Sequence, residues 1–294
     1  MLNAIRSKLK PVVTNNISSA ATTATRHELS TATGSADAYW ESVKHTHTVE
    51  TVEPVDAAAV AKPEGFFRVV CISDTHSLTD KLVVPDGDLL VHAGDFSNKG
   101  SKADIVKFNE FLGRQPHKHK VVIAGNHDLT LDESNIEELR EQFRCKDTET
   151  PAQLKALLTN CIYLEDALVE VEGFRIYGSP WTPYFFGWGF NLERGAPIRA
   201  KWDLIPNNVD ILITHGPPVG YGDRTTGGNY AGCADLLEAI QSRIKPKLHV
   251  SGHIHEGAGL TRDEFGILYA NASTCTHRYQ PVLPAIVVDL PKKN

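Results

Sequence analysis

Five short polar segments of this sequence each follow an apolar run and carry side chains that bind metal ions. The candidate ligands are two aspartates, one asparagine and four histidines, namely Asp74, His76, Asp95, Asn126, His215, His253 and His255. Carboxylate, carboxamide and imidazole ligands without thiolate favour Mn, Fe, Zn or Co over a soft-metal site. A carboxylate can also bridge two cations about 3.5–4 Å apart that share a hydroxide. The set therefore predicts a hydrolytic centre with two divalent metal ions.

The spacing of the candidate ligands suggests which of them bind the metal ions together. Two pairs are spaced i, i+2 and leave a strand toward the same side, namely Asp74 with His76 and His253 with His255. Asp95 is the natural bridging ligand, because it stands in the middle of the set and is the sole candidate in its segment. Taken singly, Asp74 could cap a helix and Asn126 could lie in an ordinary turn. All five segments together favour the metal site.

The elements that must position these residues are short strands alternating with helices. Runs rich in Val and Ile predict strands at residues 67–73, 88–92, 120–124, 162–171, 174–178, 209–214, 248–251, 266–270 and 285–290. Helices are predicted at residues 102–114, 134–143, 153–158, 197–204 and 233–243, with Ser134 and Glu137 as a capping box. Ligands of open α/β sheets collect beyond the carboxyl ends of strands, where the five segments fall. The pattern predicts a layered α/β domain with parallel units early and a hairpin at Gly173.

The first 62 residues differ from the rest, so we expect a disordered tail at 1–62 and a folded domain at 63–294. The tail is rich in Ser, Thr and Ala and shows little apolar periodicity. Residues 1–27 contain no Asp or Glu but do contain basic side chains. This composition fits a mitochondrial presequence or a plain basic tail, and both alternatives stay open. The expected location is cytoplasmic or mitochondrial, not secreted.

The composition of the sequence limits which binding partners and which cellular compartment we expect. The net charge of −6 argues against a nucleic-acid polymer, although a mononucleotide would need only a local phosphate site. No apolar run approaches the length of a membrane span. The five cysteines are widely spaced and form no C-x-x-C pair, which favours a reducing compartment. The oligomeric state stays open.

The five segments together resemble the signature of the calcineurin-like metallophosphoesterase superfamily, which reads D-x-H, G-D, G-N-H-[DE], a later H and G-H-x-H. The resemblance spans residues 67–290 and is closest to the metallophosphoesterase-domain-containing branch, through Gly-Ser-Pro-Trp-Thr-Pro at 178–183 and His-Ile-His-Glu-Gly at 253–257. It implies a four-layer αββα sandwich of two mixed β-sheets flanked by helices. It also implies that Asp74, His76 and His255 hold one metal, that Asn126, His215 and His253 hold the other, and that Asp95 bridges them. Among the metals that suit these donors, Mn is the expected one.

His127 lies beside a candidate ligand but has no obvious place in the coordination set. The resemblance makes it the general acid that protonates the leaving oxygen while a bridging hydroxide attacks phosphorus. The alternative is a residue that only orients Asn126.

The residues that follow Asp95 narrow the expected substrate. Phosphoprotein phosphatases of the superfamily read G-D-x-x-D-R-G, whereas this chain has Asn98 and Lys99. A neutral Asn98 cannot polarise His127 as an ionised Asp would, and Lys99 lacks the bidentate fork of Arg. A phosphodiester carries less charge than a monoester and needs less of that grip. We therefore expect a phosphodiesterase for small phosphodiesters, with cyclic nucleotides as the candidate class. The alternatives are a phosphomonoesterase or nuclease of the same superfamily, or a weakly active metal-binding scaffold.

An aromatic loop at residues 178–191 offers further contacts to a substrate. A loop this apolar must pack on something, either as a lid over the core or as a wall on which a base could stack. From this region we take Trp181, Asn191 and Arg194 as the candidate substrate-binding residues.

Overall fold

The computed structural model of the protein describes residues 35–293. It contains two main β-sheets, and the smaller one carries the first three candidate segments. This smaller sheet contains β2 (Phe66–Ile72), β3 (Leu89–Ala93), β4 (His119–Ile123), β5 (Ile162–Tyr163) and β14 (Ile286–Pro291), in the order β14-β2-β3-β4-β5. Strands β2 to β5 run parallel, and β14 runs antiparallel to β2. The carboxyl ends of β2, β3 and β4 therefore share one edge.

The larger sheet carries the other two candidate segments. It contains β1 (Glu50–Val52), β6 (Ala167–Val171), β7 (Phe174–Ser179), β10 (Ile211–Thr214), β11 (Leu248–Ser251), β12 (Gly259–Arg262) and β13 (Leu268–Asn271), in the order β1-β12-β13-β11-β10-β7-β6. Strands β7, β10, β11 and β13 are parallel neighbours. A separate two-stranded ribbon pairs β8 (Thr182–Pro183) with β9 (Asn191–Leu192).

Helices cover the outer faces of both sheets. They are α1 (Ala36–Val43), α2 (Lys102–Arg114), α3 (Ile136–Phe143), α4 (Pro151–Lys155), α5 (Ala196–Trp202) and α6 (Ala234–Ala239), which continues into a π-helical turn at Ile240–Ile244. In β2, Val69 and Cys71 pack between the sheets, whereas Val70 and Ile72 belong to the core under the helices. This alternation is what a strand with two buried faces requires. The architecture is the expected αββα sandwich.

Helix α2 supports the loop that carries Asp95. It begins where Ser101 Oγ accepts a hydrogen bond from the amide of Asp104 at 3.1 Å. Its buried face consists of Ile105, Phe108, Phe111 and Leu112. Burying each such side chain contributes about 1.5–3 kcal/mol. Phe108 stacks on Phe96, with ring centroids 4.3 Å apart, and Phe96 directly follows Asp95.

Two details of the predicted elements are wrong. The stretch 162–171 is divided between the sheets, because the chain turns at Asp166, where φ is 49°, after β5 and before β6. The expected capping box at Ser134 does not form, since Asn135 precedes α3 and Ser134 Oγ instead donates to Asp132. A capping box is found at Thr150 and Gln153, at the start of α4. The hairpin through Gly173 is confirmed by the antiparallel pairing of β6 with β7.

The predicted disorder over residues 1–62 is wrong for the part of that range that the structure describes. Residues 36–43 form α1, whose Tyr39, Trp40 and Val43 are buried, and β1 pairs with β12. The ring of Trp40 packs 6.0 Å from that of Tyr221 and 5.8 Å from that of Tyr230. Buried positions 36, 39, 40 and 43 have the spacing of a helical face, a signal hidden by the Ser- and Thr-rich surroundings. The presequence hypothesis concerns residues outside the described range.

Among residues 35–293, no helix is both long and apolar enough to cross a membrane. All five cysteines lie in this range and are free thiols.

Candidate metal centre

Three candidate ligands follow neighbouring strands of the smaller sheet. Asp74 comes after β2, Asp95 after β3 and Asn126 after β4. Main-chain hydrogen bonds hold the first two loops together beyond the strands. The amide of Asp74 donates to Gly94 O at 3.0 Å, and the amide of His76 donates to Asp95 O at 3.0 Å. Pairing of the loops therefore brings the two carboxylates to one edge.

The other candidates follow parallel strands of the larger sheet and meet the first group. His215 comes after β10, and His253 and His255 come after β11. Nδ1 of His215 lies 2.8 Å from the carbonyl oxygen of Ala93, the last residue of β3. This hydrogen bond joins the carboxyl ends of the two sheets. The centre is thus assembled between the sheets.

The side chains gather into three overlapping groups whose ligand atoms lie within 4.8 Å of one another. The groups are Asp74 with His76 and His255, Asp95 with His215 and His253, and His76 with Asp95 and His127. Asn126 joins the second group, since its Oδ1 lies 3.0 Å from His215 Nε2. The structure therefore brings all seven candidate ligands together. The first group contains the three residues that the resemblance implied for one metal, and the second contains Asp95 with two of the three residues implied for the other metal.

The donor set fits divalent cations. Nδ1 of His215 donates to Ala93 O, so its Nε2 faces two acceptors, Asn126 Oδ1 at 3.0 Å and Asp95 Oδ2 at 3.3 Å. His255 repeats the arrangement on the other side. Its Nδ1 lies 3.0 Å from the carbonyl oxygen of Thr276, while its Nε2 lies 3.3 Å from Asp74 Oδ1. Lone pairs that converge in this way need a proton or a cation between them, and a histidine whose second nitrogen bonds a carbonyl is the usual metal ligand.

The electrostatics separate the four histidines into two kinds. Burial lowers the pKa of both His215 and His255, but the adjacent carboxylates Asp95 and Asp74 outweigh it and raise each pKa to about 9. For His76 and His253 burial dominates and lowers the pKa, to about 4 and about 3 respectively. Metal ligation requires neutral imidazole. Two of the four histidines must therefore release a proton at neutral pH when a metal binds.

The backbone at the centre is strained. Four of the seven candidate ligands have positive φ without being glycine: Asp74 at 52°, His76 at 42°, Asp95 at 56° and His253 at 66°. Left-handed conformations are uncommon for such residues and cost of order 1–3 kcal/mol each. Concentrated strain of this kind marks a functional site.

Two glycines allow the loops to approach the carboxylates. A Cβ on Gly252 would lie 2.1 Å from Asp74 Oδ2, and one on Gly125 would lie 2.3 Å from Asp95 Oδ1. Only a residue without a side chain fits at either position. Gly252 is therefore required by its close packing against Asp74, and Gly125 by its close packing against Asp95.

Asp128 supports the centre structurally and was not among the residues predicted to act in it. Its buried carboxylate accepts four hydrogen bonds, from the amides of Asp95, Gly125 and Ser97 and from Ser97 Oγ, at 2.6–3.0 Å. Burial and the adjacent Asp95 raise the pKa of Asp128 to about 7, against the opposing effect of these donors. The signal in the sequence was its place in the segment that follows β4.

Ser273 also contacts the centre and was not among the predicted site residues. Its Oγ lies 2.8 Å from Asp74 Oδ2, and it follows β13, the parallel neighbour of β11. The rule that placed the ligands beyond strand ends would also have selected it.

His127 lies at the mouth of the centre. Its amide donates to Asp95 Oδ1 at 2.7 Å, and its Nδ1 lies 3.0 Å from the main-chain carbonyl oxygen of Asn98. The sequence predicts an effect of the Asn98 side chain on His127, but the Asn98 atom that bonds His127 belongs to the backbone. With Nδ1 engaged, Nε2 is the nitrogen left for proton transfer.

A cleft of about 380 Å³ opens onto the centre. It is lined by Asp95, Asn126, His127, Pro183, Tyr184, Phe185, Arg194, Thr225, Ala231, His253, Ile254, His255, Glu256, His277 and Tyr279. Of the candidate substrate-binding residues, only Arg194 lies in this lining. Its guanidinium donates to the main-chain oxygens of Gly232 and Ala231 at 2.7 and 2.9 Å.

Trp181 and Asn191 do not reach the cleft lining. The indole of Trp181 is buried, donates to Asp166 Oδ2 at 2.9 Å and lies under the ammonium of Lys201. Asn191 instead shapes the aromatic loop, because its side chain bonds the amide of Phe185 at 2.9 Å and Thr182 Oγ1 at 2.9 Å. The structure therefore gives both residues architectural contacts, and the aromatic rings that line the cleft are those of Tyr184, Phe185 and Tyr279.

A larger cavity, of about 690 Å³, lies elsewhere, between the segments 54–58, 83–86 and 283–287. It contains none of the seven candidate ligands. Donor chemistry, not volume, makes the smaller cleft the candidate functional site.

Comparison with known proteins agrees with this geometry. Residues 67–257 match the family model of the calcineurin-like phosphoesterases. The chain is 51% identical over 251 residues to human metallophosphoesterase domain-containing protein 1, covering 83% of this chain and 76% of that protein, and the mouse protein of that name gives the same values. A UPF0046 protein of Caenorhabditis elegans is 39% identical over 257 residues, covering 84% and 90%. The chain belongs to the calcineurin-like phosphoesterase family.

Within that family, the similarity places the chain in the metallophosphoesterase-domain-containing branch. It is a hydrolase of phosphoric esters. The clustered carboxylates and imidazoles mark its divalent metal centre.

Proposed function

We propose that this protein is a metal-dependent phosphodiesterase for small phosphodiesters, with cyclic nucleotides as the candidate class. The observation that carries the proposal is the convergence of acceptor atoms at two adjacent points, one at His215 Nε2 and one at His255 Nε2, beside the accessible imidazole of His127. Two cations there would lower the pKa of a water and draw charge from a phosphoryl group.

Each residue has a separate part in this function. Asp74, His76 and His255 hold one cation, Asn126, His215 and His253 hold the other, and Asp95 lies between the two groups. Mn is the expected metal, with Fe, Zn and Co as alternatives for this oxygen and nitrogen donor set. His127 donates from Nε2 to the leaving oxygen, since its Nδ1 is held by Asn98 O.

The lining of the cleft supports a diester with one planar substituent. Arg194 is the only Lys or Arg among the residues that line it, and its guanidinium is held by two carbonyls. A single positively charged side chain in the lining suits the single negative charge of a phosphodiester. The half-exposed rings of Phe185 and Tyr279 flank the centre, Phe185 beside His253 at 5.8 Å and Tyr279 beside His76 at 4.7 Å. A nucleobase could stack on either.

The test compares bis-p-nitrophenyl phosphate with p-nitrophenyl phosphate, with Mn²⁺ added or removed by a chelator. We expect metal-dependent cleavage of the diester in preference to the monoester. Cleavage of the monoester alone would contradict the diesterase assignment and favour a phosphomonoesterase. Absence of turnover with every divalent metal would favour a metal-binding scaffold.

The matched variants are Asp95→Asn and Asp80→Asn. Asparagine at 95 keeps an oxygen to accept the amide of His127 but loses the charge shared by the two groups, so metal-dependent turnover should disappear while the fold remains. Asp80 is exposed, pairs with Lys107 and Arg114 and belongs to none of the clustered groups, so its variant serves as the control. Full activity of Asp95→Asn would remove Asp95 from the bridging position.

A further inference from the structure

The imidazole of His127 is held by two aromatic contacts in addition to its hydrogen bond. Trp188 lies against it, with ring centroids 4.1 Å apart and planes tilted by 32°. The ring of His76 meets it edge-on at 4.7 Å, and Asn98 O accepts from its Nδ1. These three contacts restrict rotation of the imidazole about its side-chain bonds.

The indole of Trp188 also lies close to the two segments that contact His127, which contain Asn98 and Asn126. The amide of Gly189, the next residue, donates to Asn126 O at 3.1 Å, and Asn126 immediately precedes His127. On the side of α3, Phe143 packs 4.5 Å from the indole. The carbonyl of Phe143 accepts from Lys99 Nζ at 3.4 Å, and Lys99 follows the Asn98 that bonds Nδ1. Trp188 therefore connects the loop after β3 with the segment after β4.

We propose that Trp188 is a positioning residue that fixes the His127 ring so that Nε2 faces the leaving oxygen. The proposal rests on the proposed function and deepens it. As a hydroxide oxygen bonds to phosphorus, the bond from phosphorus to the leaving oxygen breaks. The electron pair of that bond passes to the leaving oxygen, and the Nε2 proton moves to the same oxygen. His127 is left as neutral imidazole. Trp188 itself exchanges no proton and acts only through His127.

A different role for Trp188 would be to seal apolar surface as part of the aromatic loop. Such a lid residue would affect stability or substrate affinity alike for every leaving group. A residue that aims an acid has a narrower effect, because only a leaving oxygen that needs a proton depends on it. Leaving-group dependence therefore distinguishes the two roles.

The variants are Trp188→Leu, which removes the ring, and Trp188→Phe, which keeps an aromatic face. The matched control is Phe186→Leu, since Phe186 belongs to the same loop but is exposed and packs against Phe185. His127→Ala supplies the reference for loss of the acid.

The first measurement needs no turnover. In protein labelled with ¹³C at histidine, the His127 ring resonance is identified by its loss in His127→Ala, both without metal and with diamagnetic Zn²⁺. Ring current from the indole shifts this resonance, so we expect it to move in Trp188→Leu, to move less in Trp188→Phe and to stay in place in Phe186→Leu. A His127 resonance that is unmoved in Trp188→Leu would overturn the proposal.

The second measurement uses methyl p-nitrophenyl phosphate and methyl phenyl phosphate. The phenyl ester has the more basic leaving oxygen and depends more on protonation. We expect Trp188→Leu to lower kcat for the phenyl ester about tenfold more than for the nitrophenyl ester, with KM little changed. Trp188→Phe should recover much of the loss, and Trp188→Leu should have no further effect in the His127→Ala background.

Equal losses on both esters would reduce Trp188 to a lid and overturn the proposal. A wild-type protein that cleaves no phosphoester would instead overturn the proposed function, while the resonance of His127 would still decide whether the stack holds the ring.

Discussion

The carboxylate of Asp128 accepts a hydrogen bond from the main-chain amide of Asp95 at 3.0 Å. The bridging candidate is therefore held by its backbone as well as by its ligand neighbours. The same oxygen of Asp128 also accepts from the amide of Gly125, so one buried carboxylate fixes the loops after β3 and β4. A carboxylate with four donors cannot be replaced by an amide, because the amide nitrogen would face a donor.

We expect Asp128→Asn to weaken metal binding about 10–100-fold and to lower the free energy of unfolding by about 1–3 kcal/mol. Calorimetric titration with Zn²⁺ and urea unfolding in chelator measure the two effects. The control is Asp263→Asn, which alters a buried carboxylate that accepts from the amides of Phe265 and Ile267 outside the centre. This control should lose stability alone. Equal metal affinity in the two variants would contradict a support role for Asp128.

Gly252 should tolerate no side chain. In Gly252→Ala the new Cβ would lie 2.1 Å from both Asp74 Oδ2 and Ser73 Oγ, so the carboxylate of Asp74 must move. We expect loss of about one bound metal per chain and a decrease in stability of about 1–3 kcal/mol. Gly227→Ala is the control, because its nearest neighbour would be Thr225 Oγ1 at 3.7 Å. Elemental analysis after dialysis gives the metal content, and a full complement in Gly252→Ala would show that the loop can relax.

Metal binding should release protons from two particular histidines. The pKa values of His215 and His255 are raised to about 9, so both rings hold a proton at pH 7 that ligation must remove. Affinity should therefore rise with pH up to about 9 and level off above it. His76 and His253 have lowered pKa values and are already neutral at pH 7, so they should release none.

Calorimetry in buffers of different ionisation enthalpy counts the protons released. We expect His255→Asn to release about one fewer than the wild type, and His253→Asn to release the same number. An affinity that is flat between pH 7 and 9 would contradict this assignment.

His249 should make the fold sensitive to acid. Its Nε2 lies 2.8 Å from Thr214 Oγ1, which gives its single proton to Gly216 O, so Nε2 must be the donor. Burial lowers the pKa of His249 to about 3. Below pH 6.5 the unfolded chain takes up a proton that the folded chain refuses, so stability is complete above that pH and falls as pH decreases toward 3.

The expected loss from this one group is about 2 kcal/mol between pH 6.5 and 5. Urea unfolding in chelator at several pH values measures it. His249→Gln should flatten the dependence by one proton while keeping a donor to Thr214, and His45→Gln, at an exposed histidine, is the control. A wild-type slope in His249→Gln would assign the acid sensitivity to other groups.

The clustering of the candidate ligands could be predicted from the sequence because a single rule controls their positions. Each follows a parallel strand, and strands of this kind are recognisable from their Val and Ile content and short length. The edge strand β1 and its inner neighbour β12 were not predicted, since their polar residues resemble those of a loop. The contacts of Trp181 and Asn191 were also not predicted. An irregular loop has no repeating pattern that would show which way a side chain points. Trp181 turns inward to Asp166, a partner fixed only by tertiary packing.

Helix α1 has a practical consequence for anyone who expresses the protein. A Cβ at Gly220 would lie 2.3 Å from the indole of Trp40, and Asp37 Oδ1 accepts from the amide of Tyr230 at 2.6 Å. Both contacts back the stretch of chain that leads to Thr225 and Ala231 in the cleft wall. A recombinant fragment trimmed to residue 63 at the apparent domain border would keep every metal ligand and lose the backing of that wall. We therefore expect that a fragment with an intact cleft wall must include α1, which begins at Ala36.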